Sequence, residues 1–219
     1  MNNIANVIIL VLYGMDAFLL VPKYVKCKYD HTPRKEKLIW KGLCIAIPVF
    51  VLTALIAKQS MYEDVASYVS LLMAGMILCA FGDIVLEIKF FLGGILFFAG
   101  HFVYVITLFE MGTNWIALLV YPIIAGLGMW LTYKYLGKKY RLPLWGYNFI
   151  ISGSFSLGFA LVVTAPLAGK ILGTGMVFLV ASDWLLARNK LYKSSYFTTL
   201  LYLELYFVGQ MMISAFLLF

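Results

Sequence analysis

Charge is scarce in this chain: of 219 residues only 12% are Asp, Glu, Lys or Arg, against 63% hydrophobic ones. A soluble domain carries about 25% charged residues, so this composition excludes one and describes a chain that meets lipid. Histidine is scarcer still. His31 and His101 are the only two, which excludes a multi-histidine metal site. Three cysteines, Cys27, Cys44 and Cys79, are unevenly spaced with no C-x-x-C, so neither a disulfide framework nor a thiolate metal site is indicated. There is no H-E-x-x-H, G-x-S-x-G or Walker-type sequence, which removes the chemistries those motifs carry. Met1 to Asn6 hold no Lys or Arg and no small-residue cleavage site follows, so the first apolar stretch is expected to stay as a helix rather than leave as a signal peptide.

What the chain has is long apolar runs. Spans of about 20 residues, enough to cross a bilayer, read at Ile4 to Val21, Leu38 to Ala57, Ala66 to Ile88, Phe90 to Phe109, Trp115 to Tyr133, Leu144 to Val163, Leu167 to Ala187 and Tyr196 to Leu218. The expected fold is therefore an all-α membrane protein, a bundle of about eight transmembrane helices forming one polytopic domain over residues 1–219. The longest polar connection, Pro22 to Lys37, reads as a short basic loop. Any chemistry must sit in the bundle.

The cations give an orientation. Of the 17 Lys and Arg, all but Lys58 and Lys170 fall in the loops after spans one, three, five and seven. By the positive-inside rule those loops are expected in the cytoplasm, with both termini outside. The net charge of +7 thus reads as topology and contact with anionic headgroups. No nucleic-acid partner has a motif behind it.

Two aspartates stand out in this setting. Asp83 lies in GMILCAFGDIVLE and Asp183 in GMVFLVASDWLLA. A carboxyl within a bilayer helix costs roughly 2.5 to 3.5 kcal/mol on insertion scales, so such a residue is a functional hypothesis by default. Spans three and seven run the same way, and both aspartates fall roughly 8 Å short of the cytoplasmic end at 1.5 Å per residue. His101 on span four leans toward them, because side chains tilt toward the N-terminus of their own helix. Asp16 falls in the same layer and Glu204 slightly deeper, so as many as four carboxyls are candidates for one cavity. No Lys or Arg is expected at that depth to neutralise them. Carboxyls crowded in low dielectric cannot all ionise, and a protonated acid then survives beside an ionised partner.

Other features are less specific. Tyr104 shares a face with His101, and Asn189 and Gln210 join it as residues expected to position substrate or water; Asn148 reads as a cross-helix hydrogen bonder. Glu87 and Glu110, at helix ends, read as interfacial. Glycines on spans three and four (Gly75, Gly82, Gly93, Gly94, Gly100) allow close helix packing. The matching Gly-Met and Asp positions of spans three and seven hint at two parallel four-helix halves. No cofactor is expected, and for metals only a carboxylate-rich Mg or Ca site stays open.

Four strings, FGDIVLE (81–87), FFAGHFVYV (97–105), FLVASDWLLARNK (178–190) and YFVGQMMIS (206–214), occur in the order of the YhhN-type lysoplasmalogenase family of eight-helix membrane hydrolases, which the chain resembles. That resemblance implies hydrolysis of the vinyl-ether bond of lysoplasmalogens, releasing a fatty aldehyde and a glycerophospho-ethanolamine or -choline. It implies Asp83 and Asp183 as the catalytic pair. Arg188 and Lys190, close to Asp183, are the cations expected to hold the lipid phosphate. A bacterial inner membrane is the expected location. The rival from another class is a proton-coupled carrier or flippase using the same carboxyls, but Pro48, Pro122 and Pro166 do not fall at matching positions in two halves as broken carrier helices would require.

Overall fold

The computed structural model describes residues 3–30, 32–61, 65–112, 114–133, 138–191 and 195–219. Among them every regular element is helical. The chain runs through α1 (Asn3–Met15), a π-turn (Asp16–Leu20), α2 (Val21–Tyr29), α3 (Arg34–Ser60), α4 (Ser67–Leu86), α5 (Phe90–Glu110), α6 (Trp115–Tyr133), α7 (Lys138–Thr164), α8 (Leu167–Leu191) and α9 (Tyr196–Ala215), closing with a 3-10 turn (Phe216–Leu218). Seven helical stretches are long and apolar enough to cross a membrane, and α6 adds a shorter apolar helix at Trp115–Trp130. The all-helical membrane bundle expected from composition is the fold observed.

The first span differs from its expected bounds. Helix continues through Pro22 to Tyr29, so half of the expected basic loop is helical and the first span is Ile4–Tyr29. Proline lacks an N–H and collides with the carbonyl four residues back. Here it sits in the first turn of α2, directly after the π-turn, where Val21 N–H already reaches five residues back to Asp16 O. The slipped register accommodates Pro22 without ending the helix. Likewise α3 begins at Arg34 rather than Leu38, so Lys41 lies two turns inside it. Lys134, Lys193 and His31 lie outside the described residues.

Two helix pairs, α4 with α5 and α8 with α9, make the closest packing, and α7 packs against both α5 and α8. Helix α3 closes the ring by packing on α4 and α9, while α6 lies outside against α7. Glycine permits the approach. A Cβ at Gly100 would come 2.5 Å from Cys79 Sγ, and one at Gly75 2.6 Å from Tyr104. At the second pair, a Cβ on either Gly175 or Gly209 would stand 2.8 Å from the other's carbonyl oxygen. In lipid, where association rests on van der Waals contact and polar bonds, such small-residue seams hold helices together. Each of the two tight pairs carries one aspartate on its first helix, Asp83 on α4 and Asp183 on α8. Large apolar side chains such as Phe18, Leu118 and Trp130 point outward, as a lipid-facing surface requires.

Candidate active site

One cavity, of about 40 Å³, lies at the lysine-bearing end of the bundle and takes in both aspartates. Six helices contribute to it: Lys28 from α2, Lys41 from α3, Asp83 and Glu87 from α4 and its end, Phe90 and Phe97 from α5, Asp183, Leu186 and Lys190 from α8, and Tyr202, Leu203 and Tyr206 from α9. Asp83 is 4% exposed and Asp183 6%. On α8 the lining residues at 183, 186 and 190 follow the 3.6-residue repeat.

The two carboxyls have different neighbours. Lys41, the one buried Lys or Arg among the described residues, places Nζ 3.1 Å from Asp83 Oδ1 and 3.6 Å from Glu87 Oε1. The expectation that no cation reaches this depth is therefore corrected: the helical start of α3 carries Lys41 inward, and its long stem extends the charge further. The Asp83 carboxyl also faces the Tyr206 hydroxyl, although Oδ2 makes no hydrogen bond of good geometry among the described residues. Around Asp183 the neighbours are a phenol and an imidazole. Tyr147 donates to Oδ2 at 2.7 Å, and His101 Nε2 stands 2.9 Å from the same oxygen as a close polar contact rather than a straight hydrogen bond. Behind the imidazole, Ser154 Oγ lies 3.3 Å from Nδ1. The His101 ring also meets Tyr104 and Tyr147 edge-on at 5.9 and 6.0 Å between centroids.

Glu87 closes the lysine-rich mouth. It accepts from the Tyr24 hydroxyl and pairs with Lys28 at 3.4 Å as well as with Lys41. Burial pushes its carboxyl up, but Lys41 and Lys28 outweigh that and hold it down at about 2. Lys28 also donates to Tyr202 at 3.3 Å. Lys190 rests its ammonium 5.0 Å above the Phe90 ring, a cation–π distance.

The remaining residues singled out in the sequence are placed as follows. Asp16, fully buried in the π-turn, faces Cys44 and Glu204 and does not line the cavity. Glu204 is also off it, because the lining face of α9 is set by Tyr202, Leu203 and Tyr206. Glu87, expected at the interface, takes the place these two were expected to fill. Tyr104 and Gln210 are hydrogen-bonded to each other at 3.5 Å, and Gln210 reaches Tyr206 at 3.4 Å, one layer behind the cavity. Arg188 is exposed and Asn189 half-buried, both off the lining face of α8. Asn148 donates to the Ala125 carbonyl at 2.9 Å, a cross-helix bond as expected. Among the described residues no three His, Cys, Asp or Glu side chains group as a metal site.

Lys41, Tyr147, Ser154, Lys28 and Tyr24 were not legible as site residues. Tyr147 is one of 15 tyrosines, and nothing in its neighbourhood separates it from the interfacial ones. Lys41 had a usable signal, since it follows Leu38–Trp40 and begins an unbroken apolar run.

Residues 38–217 match the model of the YhhN family. The chain belongs to the YhhN family. Neither a curated protein nor a solved structure matches it. The match takes in Lys41, Glu87 and both aspartates of this family member, while Tyr24 and Lys28 precede it.

Proposed function

We propose that this YhhN family member is a membrane-embedded hydrolase that cleaves the vinyl-ether bond of lysoplasmalogens. The observation that carries the reading is the opening of Asp83 and Asp183 into one cavity with apolar walls. A vinyl ether is cleaved by protonating its β-carbon; the resulting oxocarbenium ion takes up water, and the hemiacetal collapses to aldehyde and alcohol. That sequence needs one carboxylic acid and one nearby carboxylate, the division of labour also used by glycosidases. Phe90, Phe97, Leu186 and Leu203 suit the alkenyl chain, and Lys28 with Lys190 at the mouth suits a lipid phosphate; Arg188, two residues before Lys190 and exposed, is set to meet the headgroup outside it. His101 positions Asp183, with Tyr104 and Gln210 bracing the surrounding layer. The lysine-rich end faces the cytoplasm in this reading, with both chain termini on the other side of a bacterial inner membrane.

The test is incubation of the detergent-purified protein with an alkenyl lysophospholipid and matching acyl lysolipids, measuring aldehyde against fatty acid. Aldehyde from the alkenyl substrate alone is expected. Detergent solution has no gradient, so a carrier would give neither product, and fatty acid release would replace the vinyl ether with an ester as the substrate bond.

A further inference from the structure

The two aspartates sit in unlike surroundings, and the difference assigns their roles. Asp83 has a full cation at 3.1 Å in a site 4% exposed, nearer to it than Glu87 is at 3.6 Å, so Asp83 is the carboxyl placed to stand as a carboxylate beside the Lys41 ammonium. Among the described residues Asp183 has no Lys or Arg ion pair. Its two close neighbours, the Tyr147 hydroxyl and His101 Nε2, both crowd Oδ2. A carbonyl oxygen has two lone pairs and accommodates two such neighbours, which leaves Oδ1 as the oxygen that carries the acid proton. Behind the ring, Ser154 Oγ donates to the His101 carbonyl oxygen and lies 3.3 Å from Nδ1, which holds the imidazole facing Asp183.

We infer that Asp183 is the proton donor and Asp83 the standing anion, with Lys41 fixing the charge of the one and Tyr147, His101 and Ser154 fixing the geometry of the other. The inference rests on the vinyl-ether reading and supplies the assignment that reading leaves open. Asp183 Oδ1–H gives its proton to the β-carbon, whose new C–H bond takes the C=C π electrons, while an ether-oxygen lone pair forms the C=O⁺ bond. The Asp183 carboxylate left behind takes a proton from water as the water oxygen bonds to the α-carbon. In the last step the C–O bond to glycerol breaks; the glycerol oxygen receives the Asp183 proton, and the hemiacetal hydroxyl returns one to Asp183. Asp83 stays ionised throughout, and its charge opposes that of the oxocarbenium ion. Tyr147, His101 and Ser154 are positioning residues in this scheme.

Small-anion rescue separates the two roles. Asp83→Ala removes the nearer of the two carboxylates at Lys41 and opens space beside its ammonium, so added azide should enter, raise turnover at least tenfold and trap the oxocarbenium ion as an α-azido ether visible by mass spectrometry. Asp183→Ala forms no oxocarbenium ion, so azide should give neither gain nor adduct. If Asp83→Ala does not purify as a folded, monodisperse protein, Asp83→Ser is read for the same two outcomes. Tyr147→Phe should lower kcat about tenfold, the worth of one hydrogen bond, with KM unchanged and the solvent deuterium isotope effect on kcat raised; a merely structural loss would not raise that effect. Rescue and adduct in the Asp183 variant, or in neither, while the wild type releases aldehyde, would overturn the assignment alone. A wild type that releases no aldehyde would overturn the vinyl-ether reading and the assignment together.

Discussion

Lys41 reaches Asp83 across the α3–α4 seam, Nζ to Oδ1 at 3.1 Å, with both side chains nearly closed to solvent. A buried pair of this kind contributes little net stability by itself, but removing one partner strands the other at a cost of about 3 to 5 kcal/mol. Lys41→Met is therefore expected to lower the unfolding temperature in detergent and cut aldehyde release at least tenfold. Adding Asp83→Asn to it should restore much of the lost thermal stability and none of the activity. A double variant less stable than Lys41→Met would show that the two side chains do not act as a pair.

Asp83→Asn and Asp183→Asn keep the shape of each side chain and remove its charge and acid proton. Each role in acid/base catalysis is worth about 10² to 10⁴ in rate, so either variant should insert and purify normally with aldehyde release lowered by that range. His101→Ala should lose less, because the imidazole holds Asp183 in place without itself supplying the proton. Equal losses in all three would place His101 among the groups that touch the reacting atoms.

Glu87 gives the mouth of the cavity a pH dependence. Its carboxyl is held at about 2, against about 4.3 for an unperturbed Glu. A depressed folded value means that stability from this group is fully present above pH about 4.3 and is lost as pH falls toward 2. Thermal unfolding of the wild type should weaken across that window. Glu87→Gln, which no longer ionises, should be less stable at neutral pH and show a flatter dependence between pH 5 and 3.

Gly100 marks where α4 and α5 touch. A methyl group there meets Cys79 Sγ at 2.5 Å and the Gly75 carbonyl oxygen at 3.1 Å. Sulfur on a buried helix has little room to move, so Gly100→Ala should cost about 1 to 3 kcal/mol, the usual range for overpacking. Asp83 rides on the same helix as Cys79, and activity is expected to fall with the seam. Gly94, with open space around it, is the control: Gly94→Ala should leave both unfolding temperature and aldehyde release unchanged.

The bundle was legible because lipid imposes a one-dimensional rule. Each crossing needs about 20 apolar residues in a row, whatever the rest of the chain does, and the spans read from Leu38 to Leu218 overlap the helices one for one, although α7 begins at Lys138 rather than Leu144. The burial of Asp83 and Asp183 within the bundle was legible for the same reason, since a carboxyl in an apolar run stands out without any partner being known. The first span ran longer than its apolar pattern, because a π-turn accommodated Pro22 and hydropathy carries no record of backbone register.

Tertiary structure alone decided which groups meet. Lys41 and Asp83, or Tyr147 and Asp183, are far apart in sequence, and their approach depends on helix rotation and on glycine seams that set how closely α4, α5, α8 and α9 pack. Rotation also explains why Glu87 faces the cavity while Asp16 and Glu204 turn from it: a step of one or two positions along a helix swings a side chain by 100° or more. Hydrophobicity along the chain determined that acids would lie within the membrane. Only the packed bundle determined that one of them would be given a lysine and the other a tyrosine and a histidine.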